Sequence, residues 1–106
     1  MLVIPTQAVA NQTLEVSLDG QACSITIWSK STGMFLDLYV NDVLIQGGML
    51  CRQAVRLVRD SYIGFIGDLC WFDTQTPPAD PEYTDIGPNG RWFLAYLETS
   101  DITGDV

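Results

Sequence analysis

The stretch Gln12–Ser29, QTLEVSLDGQACSITIWS, decides the fold class. From Gln12 to Leu18 apolar and polar residues alternate, with Leu14, Val16 and Leu18 on one face and Thr13, Glu15 and Ser17 on the other. A period of two marks a half-buried strand, because successive side chains of an extended chain point to opposite sides. Asp19-Gly20 follows, and both residue types accept the positive φ that a two-residue hairpin turn demands. From Cys23 to Ser29 the alternation resumes, with Cys23, Ile25 and Ile27 opposed to Ser24, Thr26 and Trp28. The spacing predicts an antiparallel hairpin with the core on one of its faces.

The pattern continues on the C-terminal side. Lys30–Gly33 turns the chain, and Met34, Leu36, Leu38 and Val40 then lie opposite Phe35, Asp37 and Tyr39. Asn41-Asp42 makes a second tight turn into Val43–Gln46. Both faces of this second hairpin are rich in apolar residues, which predicts burial on two sides, by another sheet or another chain. Gly47-Gly48 interrupts the run, and Met49–Asp60, MLCRQAVRLVRD, admits two readings. As a helix it sets Leu50, Ala54, Leu57 and Val58 against a stripe of Arg52, Arg56 and Arg59. Its β-branched residues and the strands on either side favour an extended course.

Tyr62–Gly67, YIGFIG, leads into a strand at Asp68–Phe72, and a final strand covers Trp92–Leu97. Leu2–Ile4 is a short extended lead, and Thr99–Val106 reads as a frayed polar tail. Some seven or eight short strands separated by turn signals predict an all-β protein, an antiparallel sandwich or small barrel. No repeat or linker divides residues 1–106, which predicts a single domain.

Between the last two strands lies a long Pro/Gly-rich loop, DTQTPPADPEYTDIGPNGR, at Asp73–Arg91. Pro77, Pro78 and Pro81 stiffen it, Asp73, Thr74 and Asp80 can fold oxygens back onto backbone N–H groups, and Gly87-Pro88-Asn89-Gly90 forms a turn cluster. Connections of this length in a compact domain are usually functional. The loop is expected to be an ordered contact surface.

Thirteen acidic and five basic residues leave a net charge of −8, which disfavours binding to nucleic-acid phosphates or an anionic membrane. No apolar run reaches the length of a membrane-spanning helix, and the N-terminus lacks the pattern of a secretory signal. With no histidine, a His-based triad or acid–base pair is excluded. The three cysteines at 23, 51 and 70 form no Cys-x-x-Cys pair and are expected to be buried, inert thiols. Carboxylates near aromatics in the loop suit glycoside hydrolysis in principle, but Asp in turns ordinarily caps backbone N–H groups. The expectation is a non-enzymatic protein without metal or cofactor. Charged residues are 17% of the chain against about 25% for an average soluble domain, which points to apolar surface set aside for partners.

Three segments carry a resemblance: Phe72-Asp73-Thr74-Gln75, then Asp80-Pro81-x-Tyr83-Thr84-x-Ile86-Gly87, then Arg91-Trp92-x-Leu94-x-Tyr96-Leu97. Together with IPTQAVANQTLEVSLDGQ at 4–21 and, more loosely, Phe35–Val40, Asn41-Asp42 and Leu44–Gly47, they make the chain resemble the baseplate plug proteins of contractile-tailed phages. It departs from them at Thr76-Pro77-Pro78, where a glycine is usual, and at Arg52-Gln53, where a tight turn is usual. The resemblance implies a virion structural protein that closes the distal tail tube among hub, tube and spike proteins, present as a homo-oligomer and assembled in the host cytoplasm. A carbohydrate- or ligand-binding β-sandwich using exposed tryptophans is the alternative.

Interface residues are expected at Trp28, Trp92 and Tyr83, because aromatics dominate protein contacts, and at Arg52, Arg56 and Arg59 as a docking patch for an acidic surface. Trp28 and Trp92 are each expected on the face opposite a core row. Asp73, Thr74, Asp80, Pro81, Gly87 and Arg91 are expected to structure the loop.

Overall fold

A computed structural model describes residues 2–58 and 65–98. Seven strands form: β1 (Leu2–Ile4), β2 (Asn11–Leu18), β3 (Gln21–Lys30), β4 (Gly33–Val40), β5 (Val43–Leu50), β6 (Asp68–Asp73) and β7 (Trp92–Leu97). They make two antiparallel sheets, one in the order β2-β3-β4-β5 and one in the order β1-β7-β6. Neither sheet closes on itself, so of the two architectures the sequence allows, the chain adopts the sandwich. Arg59, residues 62–64 of the glycine-punctuated segment and the tail from Thr99 lie outside the described residues.

The decisive hairpin forms as its pattern dictates. Asp19 and Gly20 take φ of 51° and 78°, and Asn41 and Asp42 take 51° and 65°. Both turns thus use the left-handed pair of conformations that matches strand twist. Cys23, Ile25 and Ile27 are buried, as are Met34, Leu36 and Leu38. Leu14 and Val16 are only partly covered, because β2 is an edge strand with a neighbour on one side alone. The second sheet contributes Leu69 and Trp71 from β6 and Leu94 and Tyr96 from β7 to the same core cluster. Strand β7 has β1 on one flank and β6 on the other, so it has no free edge; Trp92, Leu94 and Tyr96 are buried on its core face, and on the other face Ala95 is buried while Phe93 and Leu97 are half-buried. The N-terminal lead is therefore a working strand: Leu2, Val3 and Ile4 pair with Tyr96, Ala95 and Leu94.

Two features depart from the sequence-based expectation, the length of β5 and the cover over its hairpin, while residues 51–58 follow the favoured reading. Strand β5 runs on through Gly47-Gly48 to Leu50, with register shifts against β4 between Leu36 and Tyr39. Gly48 takes a φ of 64° there and donates its N–H to Asp37 Oδ1 at 2.7 Å, so the glycines bend the strand without ending it. Residues 51–58 take the extended alternative, touching β6 through bridges at Gln53–Trp71 and Arg56–Cys70. The outer face of the β4–β5 hairpin is not covered by the second sheet: Phe35 and Tyr39 there remain half-buried.

Asp68 carries a role that its alternating pattern did not announce. Its side chain is 2% exposed, and Oδ1 accepts the N–H groups of Val58 at 2.8 Å and Leu69 at 2.7 Å. One buried carboxylate thereby fastens the irregular segment to the start of β6. All three cysteines are buried and free of disulfides. Burial pushes the Cys51 thiol up to about 12 and that of Cys70 up to about 11, the nearby Asp68 charge adding to the latter.

Core geometry sets the expected cost of truncation. Trp71→Ala should destabilise the chain by about 3–5 kcal/mol, and Ser17→Ala on the exposed face of β2 by no more than about 0.5 kcal/mol. Urea-unfolding midpoints compared at equal m-value read both.

Candidate interaction surface

The loop that joins β6 to β7 is built on one ion pair. Asp73 ends β6 and Arg91 precedes β7, so the ladder brings the two side chains together at the mouth of the loop. Arg91 Nε donates to Asp73 Oδ1 and Nη2 to Oδ2, each at 2.8 Å, the two-pronged geometry that matches a guanidinium to a carboxylate. The same carboxylate accepts the N–H of Gln75 at 2.9 Å and of Ala79 at 2.8 Å. With these four bonds the Asp73 side chain is wholly buried, while Arg91 stays 24% exposed. The Arg91 guanidinium, with the backbone N–H groups helping, holds the Asp73 carboxyl well below the usual carboxylate range.

The rest of the loop hangs from this clasp. Thr74 donates both its N–H and its hydroxyl to the Arg91 carbonyl, at 2.8 and 2.7 Å. Asp80 Oδ1 accepts the Gln53 N–H at 3.1 Å, tying the loop to the irregular segment. Pro81 is buried, and a short 3-10 helix, Tyr83–Asp85, follows it. Gly87 takes a φ of 146°, which L side chains rarely adopt, and donates to the Trp92 carbonyl at 2.9 Å. At Gly90 a Cβ would lie 2.5 Å from the Asp85 carbonyl oxygen, so the backbone can close the turn only without one. Ile86 is buried beneath the loop. The loop is ordered by contacts along its whole length.

The residues expected at an interface fall in separate places. Trp28 is half-buried on the outer face of the four-stranded sheet, stacked on Phe35 at 5.7 Å between ring centroids, with Lys30 over the Phe35 ring. Arg52 and Arg56 are exposed and line one groove of about 350 Å³ with Met49, Leu50 and Val55. Arg56 Nε lies 4.0 Å from Asp68 Oδ2, whereas Arg52 has no hydrogen bond or ion pair among the described residues. Tyr83 is 38% exposed and borders a different concavity with Ser29, Lys30 and Pro81.

Trp92 corrects the expectation. It is 4% exposed, in the core row with Leu94 and Tyr96, where its indole N–H donates to the Ala79 carbonyl at 3.0 Å and Arg91 stacks over its ring at 4.5 Å. The loop folds over the indole, which removes the tryptophan from the surface. The exposed apolar residues that sequence reasoning passed over are Val43, 62% exposed, and Leu44, 52% exposed, at the start of edge strand β5. The available signal was the absence of any charge from Val43 to Cys51. Among the described residues no three His, Cys, Asp or Glu side chains gather as a metal site, and no helix is long and apolar enough to cross a membrane.

The clasp has a defined pH signature. Because the folded value of Asp73 is depressed, its stabilising effect is complete above the ordinary carboxylate value of 3.8 and is lost only as pH falls through the lower folded value. Protection of the Gln75 and Ala79 amides from hydrogen exchange, corrected for the intrinsic rate, should therefore be level from neutrality to mild acid. Asp73→Asn should abolish most of that protection at neutral pH. Arg91→Lys, which keeps a charge but not the two-pronged fit, should abolish part of it.

Comparison with known proteins bears on the whole chain. No curated protein matches it. The family described as "Cyanophage baseplate Pam3 plug gp18" matches residues 1–99, which takes in both sheets, the clasped loop and all seven strands. The chain therefore belongs to the cyanophage baseplate plug family.

Proposed function

We propose that this chain is a structural subunit of a phage tail baseplate that plugs the distal end of the tail tube, packed among hub, tube and spike proteins. The match to the plug family over residues 1–99 carries this reading. The fold supports it in two ways. The Asp73–Arg91 clasp makes a long loop into a stiff surface, which suits a part that must hold its shape under load. Leu2, Val3, Val43, Leu44 and Ile66 stay exposed, apolar area that neighbouring subunits would cover. Its action is mechanical: the subunit closes the tube before infection and is displaced when the sheath contracts. No reaction is assigned to it, and assembly takes place in the host cytoplasm before the particle is complete.

The ligand-binding alternative loses two of its three tryptophans, since Trp71 and Trp92 are buried, and keeps only Trp28, half-buried on the outer face and stacked on Phe35.

Quantitative mass spectrometry of purified, nuclease-treated tail particles tests the proposal. The expected result is a fixed copy number per particle, far below that of the tube protein. Absence from intact particles, or a copy number that scales with tube length, would remove the plug role.

A further inference from the structure

Strands β1 and β5 are edges without charge or proline, and β5, eight residues against three, is the longer. Edge strands of soluble proteins are commonly defended by charges or proline, because their free N–H and C=O groups recruit other strands. Strand β2 carries Glu15, and β6 is flanked by residues 51–58 through the Gln53 and Arg56 bridges. Strand β5, VLIQGGML, has neither charge nor proline and exposes Val43 and Leu44 at its start. At its far end lies the groove of about 350 Å³, walled by Met49, Leu50, Val55 and Leu57 and rimmed by Arg52 and Arg56. A projecting apolar pair and an apolar groove thus sit at opposite ends of one strand.

Charge follows the same polarity. Asp42 precedes the strand and Arg52 follows it, and every residue between them is uncharged. In a chain of net charge −8, this is a segment where two copies can approach without like charges meeting. An antiparallel arrangement about a two-fold axis near Gly47 brings each end of the strand beside the opposite end of the other. Asp42 then faces the arginines of the second copy, and Leu44 faces Leu50 at its groove, both on the outer face of the sheet. Such self-complementarity is what an isologous contact requires. The bend at Gly47-Gly48 discriminates further: it discourages a regular strand, whereas a second copy carries the same bend by symmetry.

We propose that β5 and the Arg52–Arg56 groove form a homodimer surface, in which Leu44 of one copy packs against Leu50 at the groove of the other and Asp42 pairs with Arg52. The contact is a property of the isolated chain and is independent of its place in a baseplate.

Sedimentation velocity of the purified full chain over a concentration series tests it. The wild type should show a concentration-dependent dimer. Leu44→Lys should be monomeric with an unchanged circular dichroism spectrum and the melting temperature of the dilute wild type, since the side chain is exposed. Asp42→Asn, which retains a residue at ease in the left-handed turn, and Arg52→Glu should each raise the dissociation constant about tenfold, two pairs being lost per dimer. A wild type that stays monomeric throughout the series, or a dimer indifferent to Leu44→Lys and Arg52→Glu alike, would overturn the proposal.

Discussion

The pairing of a buried Asp73 carboxylate with a partly exposed Arg91 constrains the β6–β7 end of the sandwich. A carboxylate withdrawn from water must have its charge met and its lone pairs filled, or the fold around it is strongly destabilised. Arg91 meets the charge, and the N–H groups of Gln75 and Ala79 complete the set. Those requirements fix where the chain turns after β6 and how it re-enters at β7. They also place the Ala79 carbonyl over the Trp92 indole, so that a core tryptophan is roofed by the loop. Reach continues to Asp80, whose contact with Gln53 joins the loop to the segment that flanks β6.

A second carboxylate works in a similar way on the opposite side of β6. Asp68 takes two backbone N–H groups and lies near Arg56, and the irregular residues 51–58 are held where a regular strand would otherwise have been needed. The three-stranded sheet is thus framed by polar anchors as well as by apolar packing. The four-stranded sheet relies on its core row and two tight turns, and it leaves an undefended edge at β5 and an aromatic pair, Trp28 and Phe35, on its outer face.

Much of the fold was legible because strands announce themselves locally. The alternation in Gln12–Leu18 and Cys23–Ser29, and the Asp19-Gly20 and Asn41-Asp42 turns, are properties of adjacent residues and came out as read. The loop-ordering roles of Asp73, Thr74, Asp80, Gly87 and Arg91 were legible too, since turn chemistry is short in range; that Arg91 would choose Asp73 required the β6–β7 ladder. Trp92 was misplaced because nothing local says that a loop will fold over it. Val43 and Leu44 were not named as contact residues, although their hairpin reads as apolar on both faces, because β5 becomes an edge only once the strand order is known.

By itself the sequence determined the secondary structure class, the tight turns, the stiffness of the long loop and the absence of histidine-based chemistry. These follow from side-chain periodicity, from φ preferences and from which groups are present at all. The tertiary structure alone decided sandwich over barrel, which strands are edges, that β7 is the central strand of its sheet, and which charges are paired. Those outcomes depend on contacts between residues far apart in the chain, such as Leu2 with Tyr96 and Gln53 with Asp80, whose pairing no local pattern encodes.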